Sequence, residues 1–219
     1  MQAMSSKIDP LIQTGGTVLL AHGKFPQADR ARSYLFDAKA IICCDGAIGP
    51  LQECNLEPSM IIGDMDSINE DLRDKYRDRI VEISEQDTND LTKAIRWAAD
   101  DGIEELVVLG ADGKRIDHTI GNAALLAEHC GLLRLMMVTD EGVLIPVTGT
   151  TAFRSRPGQQ ISVFSLNSDT RYSSRGLKYP LDDTLLPSWW SGSLNEAIGN
   201  DFTLDFDGGP ALVYLDMPE

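Results

Sequence analysis

Acidic residues stand wherever short aliphatic runs of this chain end. Ile41-Ile42-Cys43-Cys44 leads into Asp45-Gly46, and Met60-Ile61-Ile62 leads into Gly63-Asp64-Met65-Asp66-Ser67. Spaced i and i+2 in extended backbone, Asp64 and Asp66 point the same way and can reach one hard cation. Oxygen donors suit Mg2+, and the preceding glycine lets the backbone come close. The plainer role for these residues is a turn in which Asp caps a helix starting near Asn69. A third acidic group is Gln86-Asp87-Thr88-Asn89-Asp90-Leu91-Thr92-Lys93. Here Asp87 or Thr88 can cap a helix whose dipole Asp90 complements. Asp90 can also join Asp64 and Asp66 around a metal, with Lys93 about one turn on facing phosphate oxygens. The fourth group is Gly110-Ala111-Asp112-Gly113-Lys114-Arg115-Ile116-Asp117-His118. Its glycines permit a tight loop whose N–H groups can face phosphate, and Arg115 is a planar donor for phosphate oxygens. It matches neither the dinucleotide fingerprint nor the Walker A pattern. His118 reads as a helix-start residue rather than a catalyst.

The segments around these groups alternate in period. The runs Thr17–Ala21, Ala40–Cys44, Met60–Gly63, Ile80–Ile83, Leu106–Gly110 and Leu133–Thr139 are short, aliphatic and mostly without period-two alternation, as strands buried on both faces should be. Between them, Leu91, Ala94, Ile95 and Ala98 make one apolar face of a helix beginning near Thr88, and a second helix is expected over about 119–130. This alternation predicts an α/β domain over 1–145 with a mostly parallel sheet, whose ligands bind beyond the carboxyl ends of the strands. After Pro146, glycines and prolines punctuate short runs such as Ile161–Leu166, Phe202–Phe206 and Ala211–Leu215. That texture predicts a smaller antiparallel β domain over 146–219, which must pack on the first domain or on a second subunit.

Composition narrows the partners. The chain has 219 residues and a formal net charge of −15, which disfavours capture of nucleic acid or an anionic membrane. Met1–Lys7 holds no apolar leader core, and no run approaches the ~20 apolar residues that span a bilayer. Cys43, Cys44, Cys54 and Cys130 form no CxxC pair and read as reduced thiols, so a cytoplasmic protein is expected.

In order along the chain, Asp45-Gly46, Gly63–Ser67, Asp87–Ala94 and Gly113–His118 resemble the thiamine pyrophosphokinase (thiamine diphosphokinase) family, and the resemblance continues through Gly176–Leu181 and Ser193–Glu196. It implies pyrophosphoryl transfer from ATP to the hydroxyl of thiamine, giving thiamine diphosphate and AMP. It also implies a homodimer in which an α/β nucleotide-binding domain is joined to a C-terminal β-sandwich-like domain. By motif match, Asp45, Asp64, Asp66, Asp90 and Asp117 are the catalytic acids, with Asp64, Asp66 and Asp90 holding Mg2+. Asp87, Lys93, Gly113 and Arg115 are expected at ATP, and Ser193, Asn195, Trp189 and Trp190 at thiamine. The two tryptophans can offer an aromatic face to the thiamine cation or pack within the β domain. Ala21-His22-Gly23 stands where relatives carry Ala-Asn-Gly, Ala111, Asp112 and Lys114 stand in a loop that is normally richer in glycine, and Leu194 stands where a hydroxyl is usual. Asp117 and Asp45 are both candidates to orient or accept the hydroxyl proton. An ordinary kinase yielding ADP, a non-catalytic nucleotide or thiamine sensor, and a Mg2+-dependent nucleotide hydrolase are the alternatives.

Overall fold

The computed structural model describes residues 10–217. Met1–Lys7, expected to hold no leader core, lies outside the described residues. The chain forms two compact units, one over Ile12–Glu141 and the other containing 142–217.

In the first unit, β1 (Thr17–Leu20), α1 (Asp29–Phe36), β2 (Ala40–Cys44), α2 (Ile48–Glu53), β3 (Met60–Gly63), α3 (Glu70–Lys75), β4 (Ile80–Glu82), α4 (Asp90–Asp100), β5 (Glu105–Leu109), α5 (Ile116–His129) and β6 (Arg134–Val138) follow one another. All six strands pair in parallel, in the order β6-β5-β1-β2-β3-β4. The aliphatic runs become strands because they can be dry on both faces: Leu19, Ile61, Ile62, Leu106 and Val108 are fully buried. Burying one such side chain contributes ~1.5–3 kcal/mol. The face of α4 carrying Leu91, Ala94, Ile95 and Ala98 is buried as its spacing predicts.

Two caps differ from expectation. Asn89, not Asp87 or Thr88, caps α4 by accepting from the Thr92 amide at 2.9 Å. The Thr88 hydroxyl and the amides of Asp87 and Thr88 are already engaged by the Glu85 carboxylate. Asn69 itself caps α3, accepting from the Leu72 amide at 2.9 Å, so no aspartate is needed there.

Strand order sets the position of the site. From β1 the chain moves outward through β2, β3 and β4, then returns to place β5 on the other side of β1. The connections after β1 and β5 therefore lead to strands on opposite sides of this pair, and such a switch point is where an open α/β sheet offers a ligand crevice.

The second unit is antiparallel throughout. It contains β7 (Gly142–Val147), β8 (Thr151–Arg154), β9 (Gln160–Ser165), β10 (Arg171–Arg175), β11 (Thr184–Leu185), β12 (Gly192–Glu196), β13 (Asp201–Phe206) and β14 (Ala211–Asp216). These form the ladders β12-β9-β14-β7 and β11-β10-β13-β8. Phe153 stacks on Phe202 at 4.6 Å, and the Tyr172 hydroxyl donates to the Ser165 hydroxyl at 2.8 Å, tying β10 to β9. Pro146 lies inside β7, so this unit begins four residues earlier than its change of texture implies. The α/β class with a mostly parallel sheet and additional antiparallel strands is thus borne out.

Candidate active site

Asp45 follows β2 directly and is 2% exposed. Its carboxylate accepts from the Gly46 amide at 2.5 Å and the Ser67 amide at 3.4 Å. Those bonds hold a buried charge that would be costly alone. The turn after β3 brings two more acids to it. Met65 is buried with φ +66, so Asp64 and Asp66 converge through a left-handed turn rather than the extended segment their spacing suggests. Asp64 accepts from the Asp66 amide at 3.3 Å and from the Gln86 side-chain amide at 3.0 Å. The Gln86 bond, followed by that amide, lowers the Asp64 pKa. Asp66 accepts from the Ser67 hydroxyl at 2.9 Å. One carboxylate oxygen each from Asp45, Asp64 and Asp66 lies within 4.8 Å of the others. The donor set is all oxygen and anionic, which fits a hard divalent cation.

Asp90 stands outside that group, so Asp45 takes the place in the triad that spacing and resemblance give to Asp90. Asp90 instead accepts from the nearly buried ammonium of Lys93 at 3.3 Å. Burial first, then the charge of Asp45, raises its pKa, while Lys93 opposes the shift. Asp87 is exposed and also outside the triad.

Beyond β1 and β5 lies a cleft of about 360 Å³, lined among others by His22, Asp90, Lys114, Arg115, His118 and Asn122. Its two loops are zipped together: Gly23 N donates to Gly110 O at 2.5 Å and Lys24 N to Asp112 O at 2.7 Å. A Cβ on Gly23 would stand 2.2 Å from Gly110 O, so only glycine permits this approach. Gly113 takes φ +79 over the Lys24 side chain. Arg115 holds Asp117 through two bonds, Nε–Oδ1 at 3.1 Å and Nη2–Oδ2 at 2.5 Å. That pairing brings the exposed Asp117 carboxyl down to about 2. His118 lies in the first turn of α5, as expected, and lines the cleft as well.

His22 is a cleft residue that the acidic motifs do not reveal. Its ring lies so close to Gly46 that a Cβ there would be 2.1 Å from Nδ1. Burial, then the Lys114 charge, lowers its pKa against the opposing pull of Asp45 and Asp90. The signal in the sequence is positional, since His22 is the second residue after β1, at the switch point. Gln86 was legible only as part of its motif.

The residues assigned to thiamine lie in the second unit. Asn195 is buried, and its amide is spent on its own chain: Oδ1 accepts from Tyr179 N at 3.1 Å and Glu196 N at 2.9 Å, while Nδ2 donates to Tyr179 O at 2.7 Å. The Ser193 hydroxyl donates to Trp190 O at 2.6 Å. Trp189 tilts onto Phe164 with ring centroids 6.3 Å apart, whereas Trp190 is 76% exposed. Leu194, at φ +60, is also exposed.

Two family models match this chain. The thiamin pyrophosphokinase catalytic domain matches residues 31–134, and the thiamin pyrophosphokinase substrate-binding domain matches residues 142–214. A thiamine pyrophosphokinase 1 of Oryza sativa subsp. japonica is 31% identical over 144 residues, covering 58% of this chain and 54% of the relative, so the match spans about half of that protein's length. Thiamine pyrophosphokinase from Bacillus subtilis superposes with TM-score 0.78 at 22% identity, over 92% of this chain and 99% of that one. The thiamin pyrophosphokinase of Candida albicans does so with TM-score 0.77 at 18% identity, over 93% and 89%. With both domains of one family matched in order, this chain belongs to the thiamin pyrophosphokinase family.

Proposed function

We propose that this chain transfers a pyrophosphoryl group from ATP to the hydroxyl of thiamine, releasing AMP and thiamine diphosphate. The observation that carries the reading is the convergence of Asp45, Asp64 and Asp66 on one small volume, in a chain with both domains of this family. Mg2+ is the ion that such hard oxygen donors favour, and when bound it neutralises charge on the polyphosphate. Asp45, Asp64 and Asp66 would hold it, each already oriented by a neighbouring amide or hydroxyl.

The cleft beyond β1 and β5 would take the nucleotide, with Arg115 and Lys93 supplying fixed positive charge. The thiamine oxygen attacks the β-phosphorus in line. The bond from that phosphorus to the oxygen shared with the α-phosphorus breaks, its electron pair leaves on AMP, and the hydroxyl proton passes to a base. Asp117 is a poor acceptor at neutral pH because Arg115 keeps it near 2. Asp90, which lines the cleft with a raised pKa, is displaced in the direction a proton acceptor needs. Positioning and electrostatics do most of the work in such transfers, so no nucleophilic side chain is required.

For thiamine, the exposed face of Trp190 is the platform we favour, since a quaternary heteroaromatic cation is drawn to an indole face. Quenching of tryptophan fluorescence by thiamine should disappear when Trp189 and Trp190 are both replaced, and its persistence would remove this element. A homodimer in the cytoplasm completes the reading, in keeping with the free cysteines and with the absence, among the described residues, of a helix long and apolar enough to cross a membrane.

Asp66→Asn tests the acidic group. Asp66 is exposed, so the fold should survive while turnover falls at least a hundredfold. Near-normal rates at millimolar-scale Mg2+ would reject the assignment.

A further inference from the structure

Two cations line the cleft, and their charges are spent differently. Arg115 lies on a carboxylate, that of Asp117. The Lys114 ammonium donates to the main-chain oxygen of His22 at 3.0 Å, a neutral acceptor. Among the described residues, no carboxylate forms an ion pair with Lys114. After burial, the Lys114 charge is the second cause that lowers the His22 pKa. The backbone that carries it is fixed by Gly113 at φ +79 and by the Lys24 N–Asp112 O bond across the two loops. An ammonium at the wall of a cleft, held by a neutral carbonyl rather than a carboxylate, is attracted to an anionic ligand entering that cleft.

We propose that Lys114 is a phosphate-binding residue of this cleft: its ammonium leaves the His22 carbonyl for polyphosphate oxygens, while Arg115 remains with Asp117. The exchange is favourable because a carbonyl acceptor gives way to an anionic one, and charge-assisted hydrogen bonds are roughly twice as strong as neutral ones. The inference rests on the cleft being the nucleotide site.

The test compares wild type, Lys114→Gln and Lys114→Arg. Mg-ATP affinity is followed by calorimetry, and the KM values for ATP and for thiamine are determined separately. Lys114→Gln should weaken ATP binding about tenfold or more and raise the KM for ATP, with kcat and the thiamine KM within about threefold. Lys114→Arg should recover most of the loss. ATP affinity within twofold of wild type in Lys114→Gln would overturn the inference alone. So would a loss that arginine does not repair, which would make Lys114 a brace for the His22 loop. A wild-type chain that binds no ATP would instead refute the nucleotide cleft itself.

Discussion

The carboxyl carbon of Asp45 lies so close to Gly63 that a Cβ on that glycine would stand 2.9 Å from it. Asp45 leaves β2 and Gly63 ends β3, so the contact joins two neighbouring parallel strands where the acidic residues gather. Gly63→Ala must displace Asp45 from its bonds with Gly46 and Ser67. We expect at least a tenfold loss of turnover, with a stability cost of only about 1–3 kcal/mol for the added methyl group. Steady-state rates and thermal melts measure the two effects separately. Full activity in the alanine variant would show that Asp45 is not needed where it stands.

Gln86 holds one oxygen of Asp64, and the Glu85-centred turn holds Gln86. Gln86→Met keeps the length of the side chain and removes the donor. Partners of ligand carboxylates typically matter by about 10–100-fold in metal affinity. Mn2+ binding followed by electron paramagnetic resonance should weaken by that order. An unchanged Mn2+ affinity would mean that Asp64 orients itself.

Asp117 fixes a sign in the pH dependence. Its carboxyl is held below the ordinary 3.8, at about 2, by Arg115. The pair's contribution is therefore complete above 3.8 and is lost as pH falls toward 2. An acidic limb in kcat/KM at higher pH must come from another group: Asp90 and Asp112 both line the cleft with pKa values raised first by burial, and of the two Asp90 is the one beside the charge of Asp45. Asp117→Asn should lower the rate by releasing Arg115 yet leave the midpoint of that limb in place. A midpoint that moves with Asp117→Asn would make Asp117 the titrating base.

Much of the fold can be read from the chain because doubly buried parallel strands are plain aliphatic runs. The helix bearing Leu91, Ala94, Ile95 and Ala98 shows itself through its 3.6-residue period for the same reason. The caps were harder, since Thr88 and Asn89 are both suitable types and only the structure shows the Thr88 hydroxyl already taken by Glu85. The acidic motifs point to the loops whose carboxylates come together, but not to their grouping. Convergence of Asp64 and Asp66 depends on the left-handed Met65, and the third oxygen comes from Asp45 because β2 and β3 are neighbours. Neither fact follows from spacing. His22 and Lys114 show in the motifs only as departures from the family pattern, because their importance comes from two loops meeting at the switch point of the sheet.

Pyrophosphoryl transfer is distinguished from every competing reaction by what becomes of the nucleotide. With Mg-ATP and thiamine present, phosphorus NMR of the reaction mixture should show AMP and thiamine diphosphate accumulating in equal amounts, with no nucleotide consumed when thiamine is withheld. ADP with thiamine monophosphate, or loss of ATP without thiamine, would contradict the account.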